Sequence, residues 1–153
     1  MAHIVEILIA ASPSAPMESR EQIRATPGKG LEGDRYYSGI GTFSPNPHKP
    51  EYEITLIQKE HIDGFRAAST LPFTSKHARR NLVSEGIDLN SLVGKEFSVG
   101  AVRMRGIRLC EPCNYLAKSS FPEVLSGLVH KGGLRAQIIS EGIVHVGDPV
   151  VCS

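Results

Sequence analysis

The sequence predicts a mainly β fold with short helices, α+β in class, closed or nearly closed into a β-barrel. Three observations carry that expectation. Short apolar or alternating stretches recur along the chain, and few segments have helical spacing. Fifteen Gly and ten Pro cut the 153 residues into short pieces. Many short strands with two or three short helices favour a barrel or sandwich over a doubly wound parallel sheet. The length suits a single domain, residues 1–153, with one sizeable core.

The elements follow in order. Residues 3–11 read as a first strand and 18–25 as a second, closed by Thr26-Pro27-Gly28. Residues 38–50 read as a loop, because Gly39, Gly41, Pro45, Pro47 and Pro50 exclude regular structure. Residues 53–57 read as a strand. Ile62, Phe65 and Arg66 stand near helical spacing, which predicts a helix over Lys59–Ser69. A short strand is expected at 81–83 and one helical turn at 88–93, before Gly94. From Glu96 the chain is β-rich. Phe97 and Val99 alternate with polar neighbours, Val102 and Met104 oppose Arg103 and Arg105, and Ile107 and Leu109 oppose Arg108. The change of phase at Gly106 predicts a β-bulge. A short helix at 122–128 and strands at 134–139 and 144–151 complete the chain.

Composition excludes several classes of function. A net charge of +1 gives no electrostatic case for nucleic acid or for an anionic membrane. Few aromatics and no Trp weaken base stacking further. No apolar run approaches the roughly 20 residues of a membrane span. Glu6 within the first apolar stretch, with no basic residues before it, argues against a signal peptide. Three cysteines are too few for a secreted disulfide framework, so a reducing cytoplasm is the expected compartment.

Two motifs carry chemistry. Gly28-Lys29-Gly30-Leu31-Glu32-Gly33 has the spacing of a dinucleotide fingerprint. That fingerprint works only where a helix begins inside it and aims its amides at a pyrophosphate. Here Asp34-Arg35-Tyr36-Tyr37 and a proline-rich stretch follow, so a tight loop with positive φ is expected, with Arg35 beside it and Asp34 as a salt-bridge partner. The second motif is Cys110-Glu111-Pro112-Cys113. A Cys-x-x-Cys pair suits one metal, a dithiol, or two buried structural thiols. Arg105 and Arg108 upstream favour the thiolate form. Zinc needs about four ligands, and only His130, His145 and Cys152 are on hand to complete such a set. A thioredoxin-type dithiol needs a βαβ setting that this pattern lacks. Arg79 with Arg80 reads as a solvated patch rather than a phosphate clamp, and so does Lys131 with Arg135, where Gly132-Gly133 alongside offer backbone amides to an anion as the alternative. His61 reads as a surface residue of the predicted helix, and His48 lies in the proline-rich loop.

An ordered set of segments resembles one family. Gly30-Leu31-Glu32-Gly33-Asp34-Arg35, Arg79-Arg80-Asn81-Leu82-Val83, Gly94-Lys95-Glu96-Phe97-Ser98-Val99-Gly100, Cys110-Glu111-Pro112-Cys113, Gly132-Gly133-Leu134-Arg135-Ala136 and Val146-Gly147-Asp148-Pro149-Val150 together resemble the MOSC domain, the C-terminal domain of molybdenum cofactor sulfurase. The resemblance runs from about residue 4 to residue 151. It implies a β-rich, barrel-like fold and binding of the molybdenum cofactor, a Mo-pterin. In the family's reductases, which act on N-hydroxylated compounds, the second cysteine of the Cys-x-x-Cys run ligates molybdenum, which carries the catalytic and metal-ligand role to Cys113. Thiolate is a soft donor suited to a thiophilic metal. The family's R-P-N-I-V segment, which helps hold the pterin phosphate, carries cofactor contacts to Arg79 and Asn81; Arg35 and Arg135 are further candidates. This chain has Arg80 where that segment has proline. The family's reductases usually add an N-terminal β-barrel domain or an electron-donor module, and these 153 residues contain no ferredoxin-like cysteine set. The resemblance therefore also implies a partner, either an electron donor or a cofactor-delivery protein. The alternative is a non-catalytic module that carries the cofactor, or a Cys113 persulfide, to another protein.

Overall fold

Strands that must bury both faces cannot alternate in polarity, and the middle of this chain's sheet consists of such strands. In the computed structural model, which describes residues 2–38 and 50–152, β1 (His3–Ile9), β5 (Ile54–Gln58) and β6 (Leu82–Glu85) lie side by side. Ile7 and Ile9 of β1, Leu56 of β5 and Leu82 of β6 face one core. Leu8, Ile57 and Val83, their immediate neighbours in sequence, face a second one. The inner core is completed by β7 (Glu96–Val99), β8 (Val102–Leu109) and β9 (Leu134–Ile138), through Phe97, Val102, Met104 and Leu134. The outer core lies under the helices α1 (Lys59–Ser69), α2 (Ser75–Ala78), α3 (Asn114–Ser119) and α4 (Val124–Gly127), which contribute Ile62, Phe65, Ala78, Leu116 and Val124.

The main sheet has eight strands. With β2 (Glu18–Arg20) and β11 (Val150–Cys152) at its edges, the order is β11-β7-β8-β9-β5-β6-β1-β2. A three-stranded sheet pairs β10 (Gly142–His145), β3 (Gln22–Thr26) and β4 (Gly30–Leu31) in that order. The pair β5–β6 is parallel, joined through α1 and α2; every other pairing is antiparallel.

The expected closed barrel is corrected by this topology. The sheet curls into a half-barrel and stays open, with β2 and β11 as unjoined edges. The chain before β11 does reach β1: Ile4 N–H donates to Asp148 O at 2.9 Å, Gly147 N–H to Ile4 O at 2.7 Å, and Val150 N–H to Ala2 O at 3.0 Å. The contact does not extend into a ladder. It centres on the bridge of His3 with Pro149, and proline has no N–H to donate. A register shift between Ile4 and Glu6 disturbs β1 at the same end.

Several boundaries differ from the sequence expectation. The single strand expected at 18–25 is two strands in different sheets, broken at Glu21, and the strand expected at 144–151 divides at Gly147 (φ 94°) into β10 and β11. The α2 helix, four residues capped by Thr74 and His77, was not anticipated. The helical turn expected at 88–93 is a 3₁₀ helix, Leu89–Leu92, whose N-terminal amide of Asn90 donates to Asp88 Oδ1. The bulge expected at Gly106 is present, as a register shift between Gly106 and Arg108. Gly106 is needed there because a Cβ would meet Leu92 O at 2.1 Å. The loop expected at 38–50, with His48, falls almost wholly outside the described residues.

Candidate functional site

β8 ends at Leu109, and the chain turns through Cys110-Glu111-Pro112-Cys113 into α3. Cys110 still belongs to the sheet: its N–H donates to Gly133 O at 2.7 Å, and the residue is 1% exposed. Cys113 stands at the N-cap of α3 and is half-buried. The two thiols are therefore unequal, although both line one cleft.

Four guanidinium side chains join them there. Arg35, Arg79, Arg80 and Arg135, with Cys110 and Cys113, line a narrow cleft whose enclosed volume is about 30 Å³. A second compartment shares Cys113, Arg80 and Arg135 and adds Tyr52 and Arg108. A third shares Arg79 and Tyr115 and adds Lys118. The three compartments share lining residues and bring together Arg35, Arg79, Arg80, Arg108, Lys118 and Arg135, with Glu111 as an acidic lining residue, on a chain whose net charge is only +1.

Each arginine is fixed differently. Arg35 follows the glycine-rich loop, where Gly28, Gly30 and Gly33 adopt the expected positive φ. Its Nη1 donates to Asp34 Oδ1 at 3.0 Å, and its guanidinium lies 4.8 Å from the centre of the Tyr36 ring. Asp34 is fully buried and also accepts from the amides of Ala10 and Tyr36, so it forms the expected ion pair and braces the loop as well. Arg79, in the left-handed region (φ 56°) after α2, donates to Ala15 O and Pro13 O at 2.8 and 2.7 Å. Burial, then the charge of Arg35, lowers its pKa. Arg80 donates from Nε to Gly132 O (2.8 Å), from Nη1 to Ala78 O (3.2 Å) and from Nη2 to Cys110 O (3.1 Å). Arg135 projects from β9, opposite Arg108 in the ladder, and lies 5.1 Å from the centre of the Tyr52 ring.

Asn81 departs from the expectation. It is 0% exposed and does not line the cleft. Its Oδ1 accepts from Thr55 N (3.1 Å) and Thr55 Oγ1 (3.2 Å), and its Nδ2 donates to Leu8 O (3.1 Å). The amide is consumed in joining β1 and β5 at the start of β6. Arg80, read from sequence as solvent-facing, is the buried member of its pair. Buried and exposed arginines look alike in a single sequence; the neighbouring left-handed Arg79 carried no signal either.

Other expectations move as well. Arg105 and Arg108, expected to supply charge to the thiols, are held by carboxylates. Arg105 donates to Glu96 Oε2 at 2.7 Å and Arg108 to Glu51 Oε2 at 2.5 Å, the latter bond raising the Arg108 pKa. Gly132 and Gly133 are not an open anion cradle. A Cβ on Gly132 would meet Cys110 O at 2.3 Å, and one on Gly133 would meet Leu56 O at 2.1 Å, so both allow close chain approach. Lys131 lines a different cavity with His61, whose pKa is lowered by burial and then by the Lys131 charge, so His61 is not a free surface residue. His130 pairs with Glu111 and His145 with Asp148. Among the described residues no three His, Cys, Asp or Glu side chains gather as a metal site, and the zinc set does not assemble.

The family model described as MOSC domain matches residues 43–151. The chain belongs to the MOSC family. The match takes in the Cys-x-x-Cys turn, the Arg79–Arg80 segment and Arg135; the glycine-rich loop with Arg35 lies outside the matched residues but folds onto the same cleft. Among solved structures, the YuaD protein of Bacillus subtilis is similar at a TM-score of 0.78 and 16% identity, over 98% of this chain and 94% of that one. YiiM of Geobacillus stearothermophilus is similar at a TM-score of 0.72 and 16% identity, over 100% of this chain and 75% of that one. YiiM of Escherichia coli gives 0.72 and 17%, over 100% and 70%. At such identities these likenesses show the MOSC fold alone. Among curated proteins none matches the chain significantly.

Proposed function

We propose that the cleft around Cys113 holds the molybdenum cofactor, with the Cys113 thiolate as metal ligand, and that the chain takes part in reducing N-hydroxylated compounds. The observation that carries this reading is the half-buried Cys113 thiol in a cleft walled by four guanidinium groups. That donor set fits the group: a soft thiolate suits a thiophilic metal, and arginine forks suit the phosphate of an anionic organic ligand. When bound, the cofactor supplies two-electron chemistry at a thiophilic metal.

The chain's own residues divide the remaining work. Cys113 offers the sulfur, at a helix start whose position is fixed by packing against the outer core. Cys110 lies beneath and anchors the turn through its backbone. Arg79 and Arg135 hold the anionic part of the ligand, and Arg35, neutralised by Asp34, shapes the wall. Asn81 supports the cleft from behind rather than touching the ligand. Reduction of an N-hydroxyl compound to its amine and water consumes two electrons and two protons, so a separate electron-donor protein belongs to this proposal.

The test is metal and pterin analysis of protein made in a cofactor-competent host, followed by reduction of an N-hydroxylated compound with a chemical donor. Parent protein is expected to carry molybdenum and Cys113→Ala to carry none. Molybdenum retained in Cys113→Ala overturns the assignment.

A further inference from the structure

The buried guanidinium of Arg80 has no assigned role. It is 8% exposed and lines two compartments of the cleft, each together with Cys113. Among the described residues its partners are three carbonyl oxygens, those of Gly132, Ala78 and Cys110. None of them carries a charge. Arg35 is neutralised by Asp34 and Arg108 by Glu51, whereas no carboxylate among the described residues pairs with Arg80. A cation taken out of water without a counter-charge is costly. An arginine carries five N–H donors. Three are used, one each on Nε, Nη1 and Nη2, which leaves one donor on each terminal nitrogen. One N–H on each terminal nitrogen is the pair of donors that a carboxylate or phosphate takes up from an arginine fork. Arg79 beside it is likewise held by carbonyl oxygens.

We propose that Arg80 seats an oxyanion, a phosphate or carboxylate, in the cleft beside Cys113. The inference deepens the reading of this cleft as the ligand site and rests on it. The three carbonyl bonds pre-set the guanidinium, so the anion meets a fork that needs no reordering. The anion has two possible sources, the cofactor's own phosphate or an acidic group on the substrate.

The test titrates inorganic phosphate into the purified chain by calorimetry, at constant ionic strength set with chloride. Parent protein is expected to bind one phosphate saturably. Arg80→Lys keeps the charge but loses the fork, and is expected to bind at least tenfold more weakly. Lys95→Gln removes an exposed charge of the same sign that lines none of the compartments of the cleft, and is expected to bind as the parent does. In case Arg80→Lys does not fold, phosphate titrated into the ¹⁵N-labelled parent should shift the Arg80 guanidinium resonances at the same midpoint. Absence of saturable binding overturns the proposal, as does equal affinity in parent and Arg80→Lys, equal weakening in Lys95→Gln, or unmoved Arg80 resonances. Repeating the titration on cofactor-loaded protein identifies the source. Lost phosphate binding, with less pterin in Arg80→Lys, assigns the seat to the cofactor; retained binding assigns it to the substrate. Molybdenum content in Cys113→Ala is measured separately, so failure of the anion seat is distinguishable from failure of the cleft itself.

Discussion

Three consecutive residues show how far a sequence can carry a site. Arg79 and Asn81 bracket Arg80 in a segment whose resemblance to the family implies a cofactor contact, yet the backbone sends Asn81 into the wall and Arg80 into the cleft. A motif identifies a segment; the backbone, left-handed at Arg79 (φ 56°), places Arg79 and Arg80 in the lining of the cleft and Asn81 behind it. Asn81 serves three groups at zero exposure, so Asn81→Ala leaves the Thr55 amide and the Leu8 carbonyl buried without their partner. Each such group costs about 1–3 kcal/mol. Urea denaturation should give a loss of roughly 2–6 kcal/mol at unchanged m-value. Loss of ligand binding with full stability would return Asn81 to the cleft. From sequence the two cysteines were separated by the resemblance, which gives the ligand role to the second of the run, Cys113; the structure separates them by burial. With Cys152→Ser as the background, iodoacetamide should label Cys113 and leave Cys110 untouched in the folded chain, as read by peptide mass. Labelling of Cys110 at a comparable rate would contradict its burial.

At the scale of elements, legibility follows local chemistry. The bulge at Gly106 was visible because it inverts the alternation of Val102 and Met104. The Gly106 contact with Leu92 O makes Gly106→Ala an overpacking change, with an expected cost of about 1–3 kcal/mol in thermal or urea unfolding. Neutral behaviour would mean that the Leu92 segment moves aside freely. The division of residues 18–25 between two sheets was not visible, since both halves have strand composition and only long-range pairing separates them. The same limit hid α2, which is too short for a period to register. Opposite Arg105 in the β7–β8 ladder, Glu96 also accepts from Arg103, and these two hydrogen bonds lower its pKa below the usual 4.5. A depressed folded pKa stabilises above the unfolded value and is lost as pH falls through the folded one. Glu96→Gln should therefore reduce the acid sensitivity of stability below pH 4.5 and leave the neutral-pH slope alone. A series of melts from neutral pH downward reads this, and parallel curves for parent and variant would dismiss the pairing as a stabiliser. The group is exposed, so the effect is small.

For the whole molecule, one sheet divides two cores. Leu56 and Ile57 are consecutive residues of β5, yet one belongs to the interior of the curl and the other to the helical layer. Neither core can lose order without exposing the back of the same strands. Leu56→Ala and Ile57→Ala should each cost about 2–5 kcal/mol, and in both variants far-ultraviolet dichroism and tyrosine fluorescence should report one coincident transition. A helical layer that melts ahead of the sheet would show two separable units. The mainly β character was legible in the density of strands and turns. Openness was not, because whether β11 closes on β1 depends on Pro149 meeting His3 across nearly the full length of the chain.

The three carbonyl bonds of Arg80 reach the end of α2, the Cys-x-x-Cys turn and the Gly132-Gly133 turn, segments up to 54 positions apart in the sequence between Ala78 and Gly132. The cysteine turn is consequently not a portable cassette. Transplanted into a relative with proline at the position of Arg80, it would arrive without the clamp that sets its angle. A chimera carrying only residues 108–116 should hold its second cysteine in several orientations, read as multiple side-chain resonances. Moving residues 78–81 and 131–135 along with it should restore a single one.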